Sequence, residues 1–301
     1  MTGVFRITFK KWSVLLSVVL AVALVAGCSN GGGSGEKQKT IKLAYVAWDS
    51  EIASTNVVKH VLETKMNYKV EMLQVDAGPM WAGVADGSAD AMVAAWLPST
   101  HASYVEKYKS SMEDLGPNLD GTKTGLAVPA YMDIKSIEDL KKPEVAKSLN
   151  NQLIGIEPGA GIMMATEQAV KDYALSEYKL VESSSAAMAQ ELQKAYDQKK
   201  PIVVTGWTPH WKFAKMDLKY LEDPKNVYGG AEQIHTMARK GLKEDQPAAH
   251  QFLDQFEWTA EDMAQVMVAI QEGKSPEDAA KEWVEANADK VNTWTKGIEI
   301  K

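Results

Sequence analysis

Cysteine is almost missing from this sequence of 301 residues, which contains only Cys28. One cysteine cannot form an intramolecular disulfide, a CxxC redox pair or a zinc site with several thiolates. Basic residues are outnumbered, 33 against 40 acidic ones, and they form no block of the kind that contacts nucleic-acid phosphates. The sequence therefore excludes a disulfide scaffold and argues against a nucleic-acid-binding protein.

Signatures of common enzyme classes are absent as well. The sequence has no P-loop, Rossmann glycine pattern, HExxH zinc motif or nucleophile elbow. The serine run Ser183–Ser185 precedes an alanine-rich segment and is typical of a helix N-cap rather than a nucleophile. We therefore expect no catalytic residue, no metal site and no cofactor. The 45% hydrophobic and 24% charged composition is that of a globular protein, and the length suits two modest domains.

The beginning of the chain has the pattern of a signal peptide. Three basic residues precede the first apolar segment: Arg6, Lys10 and Lys11. The apolar run Trp12–Ala26 is short for a membrane-spanning helix, which needs about 20 residues, but it suits a signal peptide. Small residues before Cys28 resemble the bacterial lipoprotein signal, in which residues 1–27 are removed and Cys28 is lipidated. An uncleaved anchor with an incidental cysteine is the alternative.

Residues 28–40 are rich in glycine, serine and polar side chains, which predicts a flexible tether. A lipid on Cys28 would hold the folded body at the cell membrane, on its extracytoplasmic face. Without residues 1–27 the chain has 30 basic and 40 acidic residues, so its net charge is −10. This location outside the cytoplasmic membrane argues against an enzyme that depends on cofactors from cytoplasmic metabolism.

The body of the chain contains an internal repeat. Strand, helix, strand, helix, strand is predicted from residue 41 to Pro98, and the same order recurs about 111 residues later, ending at Pro209. The segments Ala95–Pro98 and Gly206–Pro209 occupy matching positions. Alternating strands and helices predict parallel sheets in two α/β lobes. An amphipathic helical region from about 246 to 294 is expected to pack on the first lobe.

Three tryptophans follow predicted strands of this repeat. Trp48 follows the first strand, whereas Trp96 and Trp207 end the matching third strands. Ligands of open α/β sheets bind beyond the carboxyl ends of strands, so we expect these rings to line one cleft. Aromatic walls attract cations, above all quaternary ammonium groups. The alternative is that each tryptophan packs beneath a loop.

A glycine turn at Gly159–Gly161 leads into a predicted helix that begins at Ile162. Free amides at a helix N-terminus suit a carboxylate, which would make the ligand a zwitterion. His101 follows Trp96 by five residues and is a candidate donor to that carboxylate, with a helix-capping or surface role as the alternative. His210 follows Trp207 by three residues and is expected to be structural or to lie at the rim.

These motifs resemble a known family, the substrate-binding lipoproteins of glycine betaine and proline betaine ABC importers. The resemblance extends from about residue 41 to the end of the chain. Four segments carry it: Ala44–Glu51, Ala95–His101, Pro158–Met163 and Thr205–Trp211. Some relatives carry tyrosines where this chain has tryptophans, and the two halves occur in either order among relatives.

The resemblance implies a two-lobe periplasmic-binding-protein (Venus-flytrap) fold of the α/β class, with a central, mostly parallel sheet in each lobe. We place lobe one at 41–145 plus 232–301 and lobe two at 146–231. The resemblance also implies a cage of three aromatics around the trimethylammonium, matched here by Trp48, Trp96 and Trp207. The carboxylate would be bound by the backbone amides of Gly161 and Ile162 and by His101.

The sequence thus predicts an extracytoplasmic receptor that delivers glycine betaine to an ABC permease for osmoprotection, with proline betaine as a further candidate ligand. Choline or carnitine as the main ligand is an alternative, although choline would leave the glycine turn unused. A hydrolase or lyase of quaternary amines would need a general base, for which Asp49, Glu51 and Glu157 are the nearby carboxylates. A sensor domain is disfavoured because no signalling module is present.

Overall fold

Strands and helices alternate along the computed structural model, which describes residues 38–300. The strands of this part of the chain are β1 Thr40–Tyr45, β2 Lys69–Gln74, β3 Ala91–Leu97, β4 Met112–Pro129, β5 Gln152–Ile154, β6 Lys179–Val181, β7 Val204–Thr208, β8 Leu218–Tyr220 and β9 Glu232–Arg239. The helices are α1 Asp49–Met66, α2 Ala77–Asp86, α3 Ala102–Tyr108, α4 Pro143–Ser148, α5 Gly161–Asp172, α6 Ser185–Asp197, α7 Trp211–Lys215, α8 Leu242–Asp245, α9 Pro247–Gln255, α10 Ala260–Gln271, α11 Pro276–Ala286 and α12 Ala288–Trp294, with a 3-10 helix at Ile137–Lys141.

All of these strands belong to one mixed sheet, in the order β2-β1-β3-β9-β4-β7-β5-β6, with β8 paired to β4. β1 runs parallel to β2 and β3, and β5 runs parallel to β6 and β7. The predicted α/β class and the parallel strands of both repeats are therefore confirmed. β4 and β9 are antiparallel to their neighbours and join the two parallel groups at the centre of the sheet.

The long strand β4 changes partner along its length. Residues up to Thr122 pair with β9, and residues from Lys123 onward pair with β7 and β8. We call β1–β3, β9 and the start of β4 the first half, and the rest of β4 with β5–β8 the second half. The change of partner lies before residue 145, where the sequence placed the lobe boundary. The division into lobes remains a prediction.

Burial explains why the parallel strands could be read from the sequence. β3 is apolar throughout and buried on both faces, as expected for a parallel strand covered by helices. The C-terminal helices α10 and α11 pack against α1 of the first half, which agrees with the predicted packing. Trp283 of α11 stacks on Trp294 of α12, with their ring centroids 5.8 Å apart. Within residues 38–300, no helix is both long and apolar enough to cross a lipid bilayer.

Candidate ligand-binding site

The three predicted tryptophans line a single cavity. Trp48 precedes α1, Trp96 lies near the end of β3, and Trp207 lies in β7; their exposed fractions are only 6%, 3% and 4%. The space that they border, counted together with its opening to solvent, is about 290 Å³. Its lining also includes Thr100, His101, Thr124, Ile156, Ala160, Gly161 and Ile162. We call Trp48, Trp96 and Trp207 the cage; the alternative that each ring packs separately beneath a loop is not what the structure has.

All six predicted ligand-binding residues thus border the same space. The seventh predicted residue, Cys28, lies outside the described residues. The repeat accounts for two of the cage positions, because β3 and β7 end in the same way. Each strand is followed by a cis proline bond, at Leu97–Pro98 and Thr208–Pro209.

The indole N–H groups of the cage are all bound to acceptors in the protein. Trp96 donates from Nε1 to Glu51 at 2.7 Å, and Trp207 donates to the Ser50 hydroxyl at 3.2 Å. Trp48 donates from Nε1 to the Glu157 carboxylate. These bonds fix the rings and leave their π faces, rather than their donors, for a ligand. A π face attracts a cation, whereas it offers nothing to a group that needs a hydrogen-bond donor.

Glu51 lies behind two of the cage rings. It is fully buried and accepts hydrogen bonds from Trp96 and from the Ser50 hydroxyl. Burial raises the pKa of its carboxyl to about 7, although both hydrogen bonds lower it. Glu51 therefore orients Trp96 directly and Trp207 through Ser50, and it changes charge near neutral pH.

The three carboxylates considered as a general base do not line the cavity. Glu51 and Glu157 accept hydrogen bonds from cage indoles. Asp49 accepts hydrogen bonds from Ser185 at 3.0 Å and from the Trp211 indole at 2.8 Å. A base must reach the proton that it abstracts, and none of these groups faces the cavity. Among residues 38–300 there is also no cluster of side chains that could hold a metal ion.

His101 presents one free donor to the cavity. Its Nδ1 accepts the backbone N–H of Trp96 at 3.0 Å, so the ring proton of the neutral form lies on Nε2. The ring is fully buried, which lowers its pKa to about 3, and Nε2 has no hydrogen-bond partner among the described residues. His101 stands at the N-cap of α3, but its side chain caps no helix amide. The alternatives of a helix-capping or surface histidine are therefore wrong. His101 is a buried, neutral residue with an unpaired N–H donor.

The glycine turn brings two more free donors to the cavity. α5 begins at Gly161, and the backbone N–H groups of Gly161 and Ile162 donate to no other described residue, whereas the next two amides donate to the Ala160 carbonyl. These free amides lie at the positive end of the helix dipole. With Nε2 of His101, they form a set of donors suited to an anion.

At Gly161 the second half approaches the first half closely. A Cβ atom there would lie 2.3 Å from the Thr100 carbonyl oxygen and 2.8 Å from Cδ2 of His101. The backbone at Gly161 is helical and not strained. A glycine is therefore required here because Thr100 and His101 lie so close, and not because of its own backbone conformation.

Several hydrogen bonds join the two halves around the cavity. Asp49 of α1 binds Ser185 of α6 and Trp211 of α7, and Nε2 of His210 lies 3.3 Å from the same carboxylate. These contacts hold the pKa of Asp49 well below its usual range despite burial. His210 is buried and caps α7 through Nδ1, in agreement with its predicted structural role. At the opening, the Tyr104 hydroxyl donates to the Gly159 carbonyl at 2.8 Å. These contacts hold the two halves together around the cavity.

Sequence reasoning missed Lys212, which follows Trp211 in α7. Its ammonium lies 3.8 Å from the centre of the Trp207 ring, is fully buried, and has no hydrogen-bond partner among the described residues. Burial lowers its pKa to about 7. Nothing in the local sequence distinguishes this lysine from exposed ones such as Lys215, because its burial depends on contacts between distant segments.

Two α/β halves that close over a small aromatic cavity define a solute-binding protein of the hinged kind. Comparison with known families identifies the family to which the chain belongs. The profile of OpuAC, the substrate binding domain of ABC-type glycine betaine transport systems, matches residues 39–286. The chain belongs to this family.

Individual relatives agree with the family assignment. The glycine betaine/carnitine transport binding protein GbuC of Listeria monocytogenes is 58% identical over 160 residues, which are 52% of this chain and 53% of GbuC. The chain thus spans about half the length of that relative in the match.

Solved structures are similar over most of the described chain. Lactococcal OpuAC, in its closed-liganded conformation with glycine betaine, is 47% identical with a TM-score of 0.81, covering 86% of this chain and 100% of that one. The glycine betaine, L-proline-binding protein ProX of Borrelia burgdorferi is 38% identical with a TM-score of 0.83, covering 86% and 97%. The predicted periplasmic-binding-protein fold is confirmed.

The buried position of Glu51 generates a prediction for stability. We expect Glu51→Gln to become progressively more stable than the parent as pH rises from 4.5 to about 7. In that window the unfolded parent loses the Glu51 proton while the folded parent keeps it, which favours unfolding of the parent, and glutamine has no such penalty. Urea denaturation at several pH values measures the difference. Parallel stability curves for the two proteins would show that Glu51 is not held neutral by burial.

Proposed function

We propose that this chain is the substrate-binding component of an ABC importer and binds glycine betaine in the cage cavity. The observation that carries the proposal is the arrangement of the cavity: three indole faces border it together with three unpaired N–H donors. The indole faces suit a cation, and the N–H donors suit an anion. The names of the relatives, which refer to glycine betaine, carnitine and proline, support the same class of ligand.

The cage suits a trimethylammonium group because that group has no N–H to donate. Shape, dispersion and cation–π attraction are what can bind it. Each desolvated cation–π contact contributes about 0.5–2 kcal/mol, so three rings contribute a few kcal/mol together. The cage indoles have no free N–H of their own, so they offer no hydrogen bond to a ligand that carries an acceptor at this position.

The carboxylate would accept hydrogen bonds from the amides of Gly161 and Ile162 and from Nε2 of His101. These are buried donors, and a buried donor without a partner costs free energy of about 1–3 kcal/mol. A ligand with a carboxylate satisfies them, whereas choline leaves them unpaired. Glycine betaine, proline betaine and carnitine are therefore favoured over choline. Affinity in the micromolar range corresponds to about −8 kcal/mol, which is reasonable for so small a ligand.

Closure couples ligand binding to transport in this proposal. Trp48 and Trp96 belong to the first half, and Trp207 and Gly161 to the second, so only the closed form offers all contacts at once. The lobes proposed here are 41–145 plus 232–301 and 146–231, and the pairing of β4 favours moving the first boundary to residues 122–123. The closed form would then deliver its ligand to the permease.

We propose further that the chain is lipid-anchored through Cys28 on the extracytoplasmic face of the cell membrane. The basic start, the short apolar run and the small residues before Cys28 support this location. The family supplies an importer context in which a receptor outside the membrane is required. No catalytic step, cofactor or metal enters the proposal.

Titration with glycine betaine tests the proposal directly. We expect calorimetry to detect binding, accompanied by a change in tryptophan fluorescence, and we expect glycine to give neither because it lacks the methyl groups. Proline betaine, carnitine and choline measured alongside rank the ligands. No heat with any of these quaternary amines would contradict the proposed function.

A matched pair of variants assigns the binding to the cage. Trp207→Phe and Trp207→Leu both lose the hydrogen bond to Ser50, but only phenylalanine keeps an aromatic face. We expect the leucine variant to bind glycine betaine about tenfold more weakly than the phenylalanine variant. Equal affinities, with folding verified by circular dichroism, would mean that the ring does not contact the cation.

Gly161→Ala tests the close approach of the two halves. The added methyl would overlap the Thr100 carbonyl, so we expect incomplete closure and a loss of glycine betaine affinity of tenfold or more, with unfolding stability nearly unchanged. Small-angle scattering with saturating ligand should give a larger radius of gyration than the parent. Gly83→Ala is the control, because its methyl would meet only Ala89 at 3.9 Å. Parental affinity in Gly161→Ala would contradict the closed geometry.

The lipid anchor has its own test. In a bacterial host, Cys28→Ala should abolish incorporation of labelled fatty acid into the protein, because the modified thiol is gone. Ser29→Ala, a substitution at the next residue, should leave labelling intact. Equal labelling of the parent and Cys28→Ala would exclude Cys28 as the modified residue.

A further inference from the structure

A buried lysine ammonium lies against one ring of the cage and outside the cavity lining. The Lys212 ammonium is 3.8 Å from the centre of the Trp207 ring, while the cavity lining includes Trp207 and not Lys212. The indole therefore separates the ammonium from the cavity. The ammonium has no hydrogen-bond partner among the described residues, so the ring face is its main polar contact.

The charged groups around Lys212 do not neutralise it by direct contact. The Asp49 carboxylate acts on it through space but is already bound by Ser185 and Trp211. His210, its neighbour in sequence, has a pKa lowered to about 4 by burial and is neutral at physiological pH. Glu51 reaches the same ring only through Ser50.

We propose that Lys212 is a specificity-determining residue that disfavours ligands carrying a net positive charge. This inference rests on the proposed function of the cage. A cation on the outer face of Trp207 draws π density away from the cavity and repels a second cation on the inner face. A zwitterion offsets part of this repulsion through its carboxylate, whereas choline has nothing to offset it.

The protonation of Lys212 makes this selection dependent on pH. Burial lowers its pKa to about 7, so the repulsion is present below neutral pH and lost as pH rises through that value. Glu51 titrates in the same range and acts in the same direction, because its ionised form adds negative charge behind the cage.

Glu157, whose pKa is raised by burial, contacts Trp48 and not Trp207. His101 stays neutral throughout, with a pKa of about 3. The pH profile of the parent alone therefore does not separate these groups.

Calorimetry on the full chain with Lys212→Met provides the separation. Methionine keeps the length and apolar character of the side chain and removes the charge. At pH 6 we expect the affinity for choline to increase by about tenfold and the affinity for glycine betaine to increase by less. The choline-to-betaine ratio of affinities should therefore rise. At pH 8.5 the variant and the parent should agree closely.

Lys215→Met is the matched control on the same helix. Lys215 is half exposed and pairs with Glu272, so it should leave both affinities unchanged. An unchanged choline-to-betaine ratio in Lys212→Met, or an equal change in Lys215→Met, would overturn the proposal while the proposed function stands. A parent that binds no quaternary amine would instead overturn the proposed function, and this inference with it.

A second measurement uses the parent protein and does not depend on folding of the variant. In NMR titrations of lysine side-chain carbons, one resonance should titrate near pH 7, and saturating choline should lower its pKa more than saturating glycine betaine does. This follows because ligand and proton affect one another reciprocally. Lysine resonances that all titrate near 10, or a low pKa that neither ligand moves, would contradict the role of Lys212.

Discussion

The fixed orientation of the cage rings depends on three hydrogen bonds whose acceptors do not line the cavity. A trimethylammonium group is bound by ring faces, and a ring face is useful only if the ring cannot rotate away. Two of the three bonds join the halves of the molecule: Trp48 of the first half donates to Glu157 of the second, and Trp207 of the second donates to Ser50 of the first. The bonds that orient Trp48 and Trp207 are therefore also bonds between the two halves.

The unpaired N–H donors of the cavity, like the cage rings, come from both halves of the molecule. His101 comes from the first half and the amides of α5 from the second. The lack of a side chain at Gly161 lets these donors approach one another. Neutral imidazole and backbone amides are fixed donors that keep their protons at physiological pH, so this set of donors retains its character while Glu51 and Lys212 titrate.

The sequence predicted those site residues that lie in recognisable local patterns. It did not predict those whose role depends on contacts between distant segments. Trp96 and Trp207 could be predicted because apolar parallel strands are recognisable and both strands end alike. β4 and β9 were not predicted, since β4 contains Gly116, Pro117 and Gly121 and changes partner midway, which no single periodicity reproduces. The burial of Lys212 and the role of Asp49 arise from contacts between α1, α6 and α7.

Burial of ionisable groups around the cage costs desolvation free energy, which opposes the hydrogen bonds that the same groups accept across the cleft. In the closed form Asp49 is held by Ser185 and Trp211, and Glu157 by Trp48, each from the opposite half. Opening returns these carboxylates to water, so the hydrogen bonds across the cleft mainly offset their own desolvation. The balance between open and closed forms is then small, and a modest ligand can shift it by as much as its contacts favour the closed form. The receptor role proposed here includes release of the ligand to a permease. That release requires such a balance, because a cleft locked by strong internal bonds would close without ligand and would not reopen.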